Sequence, residues 1–176
     1  IASNPFYSAA APKAPRSRVW ALGLRNPFRI TIRPNTGSHN PADALPGSLY
    51  IGDVGYTTWE ELHVGTAAGH NFGWPLYEGM NAHNSYTNAN VFNQDAPNPL
   101  FGVGGCTQQY FRFRELIQQD TLASALSFPN PCNNSQQVPG SIPVFMHTRP
   151  MIDWRHGQDN ARWAAYNGNV ADAPQI

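Results

Sequence analysis

The chain has 176 residues, the size of one ordinary domain or of a piece of a larger one. Lys+Arg and Asp+Glu are both 11, a zero net charge that argues against nucleic acid, because phosphate recognition needs a basic excess. A hydrophobic fraction of 41% excludes a disordered polyelectrolyte, and no apolar run approaches the ~18 residues of a membrane span.

The first residues, from Ile1 to Tyr7, lack an initiator Met and any signal-peptide pattern, so the N-terminus reads as cut. Residues 4–16 are rich in Pro and Ala and read as an irregular lead-in. Residues 18–23 form an apolar run ending at Gly23 and predict a strand. Phe28-Arg29-Ile30-Thr31-Ile32-Arg33 alternates apolar and polar, the period of a half-buried strand, and Pro34 to Gly37 predicts the turn after it. Residues 48–55 and 59–64 predict two further strands. Residues 69–75 read as an aromatic turn, with Trp74 as a core aromatic and Gly73 free to take a positive φ.

From about 80 to 105 the chain is Asn-rich without periodicity and reads as loop. Phe113, Leu116, Ile117 and Asp120 fall at helical spacing and predict one or two helical turns over 111–120. Residues 127–142 read again as loop, 144–147 as a short strand, and 161–167 as a strand running into the hairpin dipeptide Asn167-Gly168. Short strands joined by tight turns, with 15 glycines and 16 prolines, predict an all-β, loop-rich fold. Periodicity does not choose between sandwich, barrel and propeller, and no internal repeat of ~40 residues is visible.

Cys106 and Cys132 are an even pair in a loop-rich segment, which predicts a disulfide. The bridge would contribute roughly 3–4 kcal/mol by loop closure and implies an extracellular or periplasmic setting. Two separate reduced thiols are the alternative. Low charge and a single lysine, Lys13, fit a secreted protein as well. Asn133-Asn134-Ser135 is a formal glycosylation sequon.

Three ordered blocks carry a resemblance. They are Leu22-Gly23-Leu24-Arg25-Asn26-Pro27-Phe28-Arg29; Ile51-Gly52-Asp53-Val54-Gly55 with Trp59-Glu60-Glu61; and Gly69-His70-Asn71-Phe72-Gly73-Trp74-Pro75 with Glu78-Gly79. Together they resemble the glucose/sorbosone dehydrogenase family, the soluble quinoprotein sugar dehydrogenases. Hedgehog-interacting proteins also keep the first block. The resemblance implies a six-bladed β-propeller, of which residues 1–176 would be an internal fragment of about two to three blades, with 80–142 a loop-rich, disulfide-linked insertion.

The same resemblance implies a function. A sugar C–H would deliver hydride to pyrroloquinoline quinone (PQQ) activated by Ca²⁺, and an external acceptor would take up the electrons. Arg25 and Asn26 match the pair that contacts PQQ, a task suited to a planar guanidinium. The carbonyls of Gly55 and Tyr56 match those that hold Ca²⁺. Val54 and Tyr56 depart from the pattern, standing for a Gln and a Pro. The plain alternatives are a turn at Asn26-Pro27 with Arg25 in an ion pair for the first pair, and an ordinary strand-to-loop turn for the second. The general base would lie before Ile1, so no catalytic residue falls within the chain and the fragment would be inactive alone. The rival function is a non-catalytic, secreted propeller that binds carbohydrate or protein.

Glu60 and Glu61 are adjacent, so on a strand they face opposite ways and are not a catalytic pair. One of them is expected to satisfy a backbone group or a structural Ca²⁺, with the Phe72 carbonyl as a further ligand. Asp153 and His156 are three apart, and the Asp could orient the imidazole. His39, His63, His70 and His83 show no metal-ligand spacing.

Overall fold

A computed structural model describes residues 4–119, 127–164 and 170–172. The chain is all-β, with strands β1 (Pro27–Ile32), β2 (Leu49–Asp53), β3 (Trp59–Gly65), β4 (Tyr77–Glu78), β5 (Asn81–Ala82), β6 (Phe92–Pro97) and β7 (Tyr110–Arg112). There follow β8 (Ile117–Gln119), β9 (Pro129–Asn130), β10 (Asn133–Gln137), β11 (Phe145–His147), β12 (Ile152–Arg155), β13 (Ala161–Ala164) and β14 (Val170–Asp172). Among the described residues one short α-helix, α1 (Asn84–Asn88), interrupts them.

The principal sheet has the order β1-β2-β3-β12-β13-β14. Strands β1, β2 and β3 form an antiparallel meander, and β12 returns from far along the chain to pair antiparallel with β3. The meander follows from strand-length alternating runs separated by Gly and Pro turns. Strand β3 alternates strictly, with Trp59, Glu61, His63 and Gly65 buried and the residues between them half-buried. Its buried face is thus partly polar, and the site is built on it.

Among the described residues there are also four two-stranded pieces: β4–β5, β6–β7 and β9–β10 are antiparallel, and β8–β11 is parallel. Parallel bridges also join Leu22 to Asn71 and Asn71 to His147. Ala96, Phe111, Leu116, Val138 and Ile142 make a separate small core under the loop-rich stretch, with Phe128 packed against it. Cys106 and Cys132 are bridged as expected, tying the loop after β6 to the β9–β10 ribbon.

Several local expectations are corrected. Residues 111–120 are not helical: β7, a single 3-10 turn at Phe113–Glu115 and β8 occupy 110–119, and Asp120 lies outside the described residues. Phe111, Leu116 and Ile117 are buried all the same: Phe111 on β7 and Leu116 after the turn join the small core, and Ile117 is covered where β8 pairs with β11. Residues 80–105 are not all loop but contain β5, α1 and β6, and 127–142 contain β9 and β10. Residues 18–23 hold only a bridge at Leu22, preceded by a 3-10 turn at Pro15–Arg18. Strand β1 is present, yet it is exposed throughout, with Phe28 at 64%, Ile30 at 58% and Ile32 at 54%. β13 pairs antiparallel with β14, while Asn167-Gly168 lies outside the described residues. Gly73 has a φ of 99°, as its place in the turn requires.

Candidate functional site

The register of the principal sheet sets three acids side by side. Asp53 on β2 is opposite Glu61 on β3, and Glu61 is opposite Asp153 on β12. All three are buried, so like charges directly opposite would be costly unless each is answered. Asp53 accepts backbone N–H bonds from Arg25 at 2.8 Å and Asn26 at 2.5 Å. Asp153 accepts from Arg162 Nε at 2.9 Å and Nη2 at 2.6 Å, and from the Met80 N–H at 2.8 Å. Glu61 accepts from the Gly79 N–H through Oε1. Burial pushes the Glu61 carboxyl above its ordinary value, with His63 and the Gly79 bond opposing.

His63 completes the cluster. It is fully buried, and its Nε2 lies 3.7 Å from Glu61 Oε2 and 4.0 Å from Asp53 Oδ2. Neither ring nitrogen makes a hydrogen bond. Asp53, Glu61 and His63 thus bring one ligand atom each within 4.8 Å of one another, a set that can hold a small cation. Sequence spacing hides this because the three sit on two strands. A hollow of about 130 Å³ opens beside Asp53, Val54, Glu60 and Glu61.

Glu78 organises the neighbouring loop. Its Oε1 accepts from the backbone N–H groups of Tyr56, Thr57, Thr58 and Trp59 at 2.7, 2.8, 2.9 and 3.2 Å. Gly79 follows it at a φ of 61°, where a Cβ would strike the Asp153 carboxylate and the Trp59 ring. Burial acts to raise the Glu78 pKa, but the four N–H groups outweigh it and hold the carboxyl below the ordinary 4.5. Glu78→Gln is therefore expected to cost about 1–2 kcal/mol at neutral pH. A depressed acid stabilises fully above its unfolded value and loses that share as pH falls through the folded one. The gap between wild type and Glu78→Gln should thus close below pH 4.5, as urea midpoints at neutral and acid pH will read.

Arg25 and Asn26 lie where the Glu78 loop and the Asp53 end of β2 meet. Arg25 Nη1 donates to the carbonyls of Val54 at 3.0 Å and Gly55 at 2.7 Å. Its guanidinium carbon lies 5.3 Å from the Tyr56 ring centroid and 5.7 Å from that of Trp74. Trp74, Tyr56, His83 and Tyr86 then touch one another with centroids 5.0–6.4 Å apart. Tyr56 is 50% exposed and Tyr86 39%, so the cluster presents an open aromatic face. Trp74 is half-buried and belongs to this face rather than to the core.

The residues expected to hold a cofactor fit it in part. A guanidinium between two rings suits a flat anionic group. The Ca²⁺ position does not fit in this arrangement: the Gly55 carbonyl already faces the Arg25 cation, and a second cation there would be repelled.

A cleft of about 580 Å³ shares Trp74 and Tyr86 with the aromatic face. Phe113 and Phe145 add apolar wall, while Asn71, Asn90, Asn93, Thr87 and Arg114 add polar groups; Arg25 and Asn26 do not line it. The Asp153–His156 pairing does not form. Asp153 is committed to Arg162, and His156 Nε2 instead meets Glu60 Oε1 at 2.8 Å. Glu60 and Glu61 do face opposite ways, with Glu61 buried and Glu60 half-buried. His147 is buried against Tyr77, its rings 4.2 Å apart by centroid.

The residues that sequence reasoning missed are Asp53, His63, Glu78 and Asp153 as members of one buried network. Asp53 and Glu78 stood inside the quoted blocks, but only strand register shows what they face.

Among the described residues no helix is long and apolar enough to cross a membrane. Over 103 residues, 58% of this chain, it is 31% identical to "HIPL1 protein" of Arabidopsis thaliana. Over 77 residues, 44% of the chain, it is 35% identical to "HIPL2 protein" of the same plant. These spans are 13% and 9% of the two plant proteins' own lengths. No protein-family model matches the chain, and no solved structure matches it. The chain is thus similar to a small part of each of two plant HIPL proteins.

Proposed function

We propose that this chain is part of a secreted β-propeller that binds carbohydrate on the Tyr56–Trp74–Tyr86 face and in the adjoining cleft. The observation that carries this reading is the use of Arg25: its guanidinium is tied to the Val54 and Gly55 carbonyls and serves as the floor of an aromatic platform. Sugar rings offer apolar C–H faces that stack on exposed aromatics, and hydroxyls that suit amides such as those of Asn71, Asn90 and Asn93. The antiparallel meander and the disulfide support a propeller blade and an oxidising compartment, extracellular or periplasmic.

The second reading is a portion of a PQQ-dependent aldose dehydrogenase, with a sugar substrate and an external electron acceptor. Arg25 and Asn26 standing side by side against the Asp53 carboxylate favour it. The quinone would supply the hydride-accepting chemistry; the chain's own Arg25 would orient its carboxylates.

Titration with oligosaccharides, followed by backbone NMR shifts, tests the first reading. Shifts should gather at Tyr56, Trp74 and Tyr86, and Tyr56→Ala should lower affinity about tenfold, the worth of one stacked ring. Arg25→Ala should lower stability by about 1–2 kcal/mol through two released carbonyls, with Arg25→Lys restoring part of it. Dye reduction that needs PQQ, Ca²⁺ and an aldose would overturn the binding reading in favour of the dehydrogenase.

A further inference from the structure

The β9–β10 ribbon carries a feature that neither the buried network nor the aromatic face uses. Asn133-Asn134-Ser135 is the one Asn-x-Ser/Thr triplet in the chain, and neither Asn134 nor the following Gln136 is a proline. Asn133 Oδ1 accepts from the Ser135 N–H at 3.1 Å and from Ser135 Oγ at 2.7 Å. The side-chain amide and the hydroxyl that oligosaccharide transfer requires are therefore already on one side of a local turn. Both bonds span two residues, so the turn can form before the rest of the fold does.

The folded chain also has room for a bulky group there. Residues 133–137 are exposed throughout. Among the described residues β10 pairs with β9 alone, which leaves its outer edge open. Cys132, the preceding residue, is bridged to Cys106, and the oxidising secretory compartment that allows this bond is also where eukaryotic cells glycosylate asparagine.

We infer that Asn133 is an N-glycosylation site. Its Nδ2 attacks the anomeric carbon of a lipid-pyrophosphate-linked oligosaccharide. A C–N bond forms, the anomeric C–O bond to the pyrophosphate breaks, Nδ2 gives up one proton, and the lipid pyrophosphate leaves; nothing is oxidised or reduced. The glycan then covers the open edge of β10 and blocks strand addition by another chain.

The test is the full chain secreted from eukaryotic cells and analysed by peptide mass spectrometry. Peptide:N-glycosidase should remove its excess mass and convert Asn133 to Asp, with heavy oxygen incorporated from labelled water. N133Q and S135A should lose the glycan completely and S135T should keep it, all three retaining the Cys106–Cys132 bridge. Should N133Q fail to be secreted, the S135A and S135T pair reads the same site. Unmodified Asn133 in the secreted, bridged wild-type chain overturns the assignment.

Discussion

Asp153→Ala is expected to destabilise the fold by about 3–5 kcal/mol, the usual result of removing one partner from a buried ion pair. Asp153 is fully buried and holds three donors at once: two from Arg162 and one from the Met80 backbone. Without it the Arg162 guanidinium, 3.6 Å from the Trp59 ring centroid, keeps its charge in a site where little water reaches it. The cation–π contact offsets only part of that loss, since such a contact in a desolvated place is worth about 2 kcal/mol. Arg162→Met alone should also be costly, because it strands the carboxylate. Asp153→Leu with Arg162→Met removes both charges and should recover much of the stability. Urea midpoints with an unchanged slope measure all of this. A loss under ~1 kcal/mol for Asp153→Ala would mean that water or another group takes over the pairing.

What the sequence discloses and what it hides divides along a physical line. Strands β2 and β3 are legible because alternation and flanking Gly and Pro turns are local properties. The bridge between Cys106 and Cys132 is legible because two cysteines allow one pairing. The carboxylate row is not, since Asp53, Glu61 and Asp153 become neighbours only through register, and β12 arrives from far along the chain. The 113–117 stretch misled for a different reason: its apolar spacing fits a helix, but two short strands and a turn bury Leu116 and Ile117 and leave Phe113 exposed. β1 alternates as a half-buried strand should, yet no layer among the described residues covers Phe28, Ile30 and Ile32. Arg25 shows the limit for function. A family pattern marks the residue, whereas its use as a clamp on Val54 and Gly55 depends on a contact 29 and 30 residues away.

Acid is expected to unfold the protein through His147 well before most of its carboxylates protonate. Burial is the chief cause that lowers the imidazole from 6.5 to about 3, with His63 and Arg149 nearby adding to it and a bond to the Phe72 backbone opposing it. The ring is enclosed by Tyr77 on its face and by Gln119, whose Oε1 lies 3.2 Å from Nδ1. Burial lowers His70 in the same direction. A histidine depressed in the folded state binds its proton first in the unfolded chain. Stability is therefore whole above 6.5 and drains as pH falls from there towards 3. The share from His147 is about 2 kcal/mol by pH 5 and rises towards about 5 kcal/mol at the lower limit. This slope is opposite in position to that of Glu78, which acts only below 4.5. His147→Gln keeps a polar side chain beside Gln119 and cannot charge, so it should flatten the curve between 6.5 and 5 even if its ceiling is lower. Denaturant midpoints across that range decide the matter. An equally steep fall in His147→Gln would assign the acid sensitivity to His70 instead.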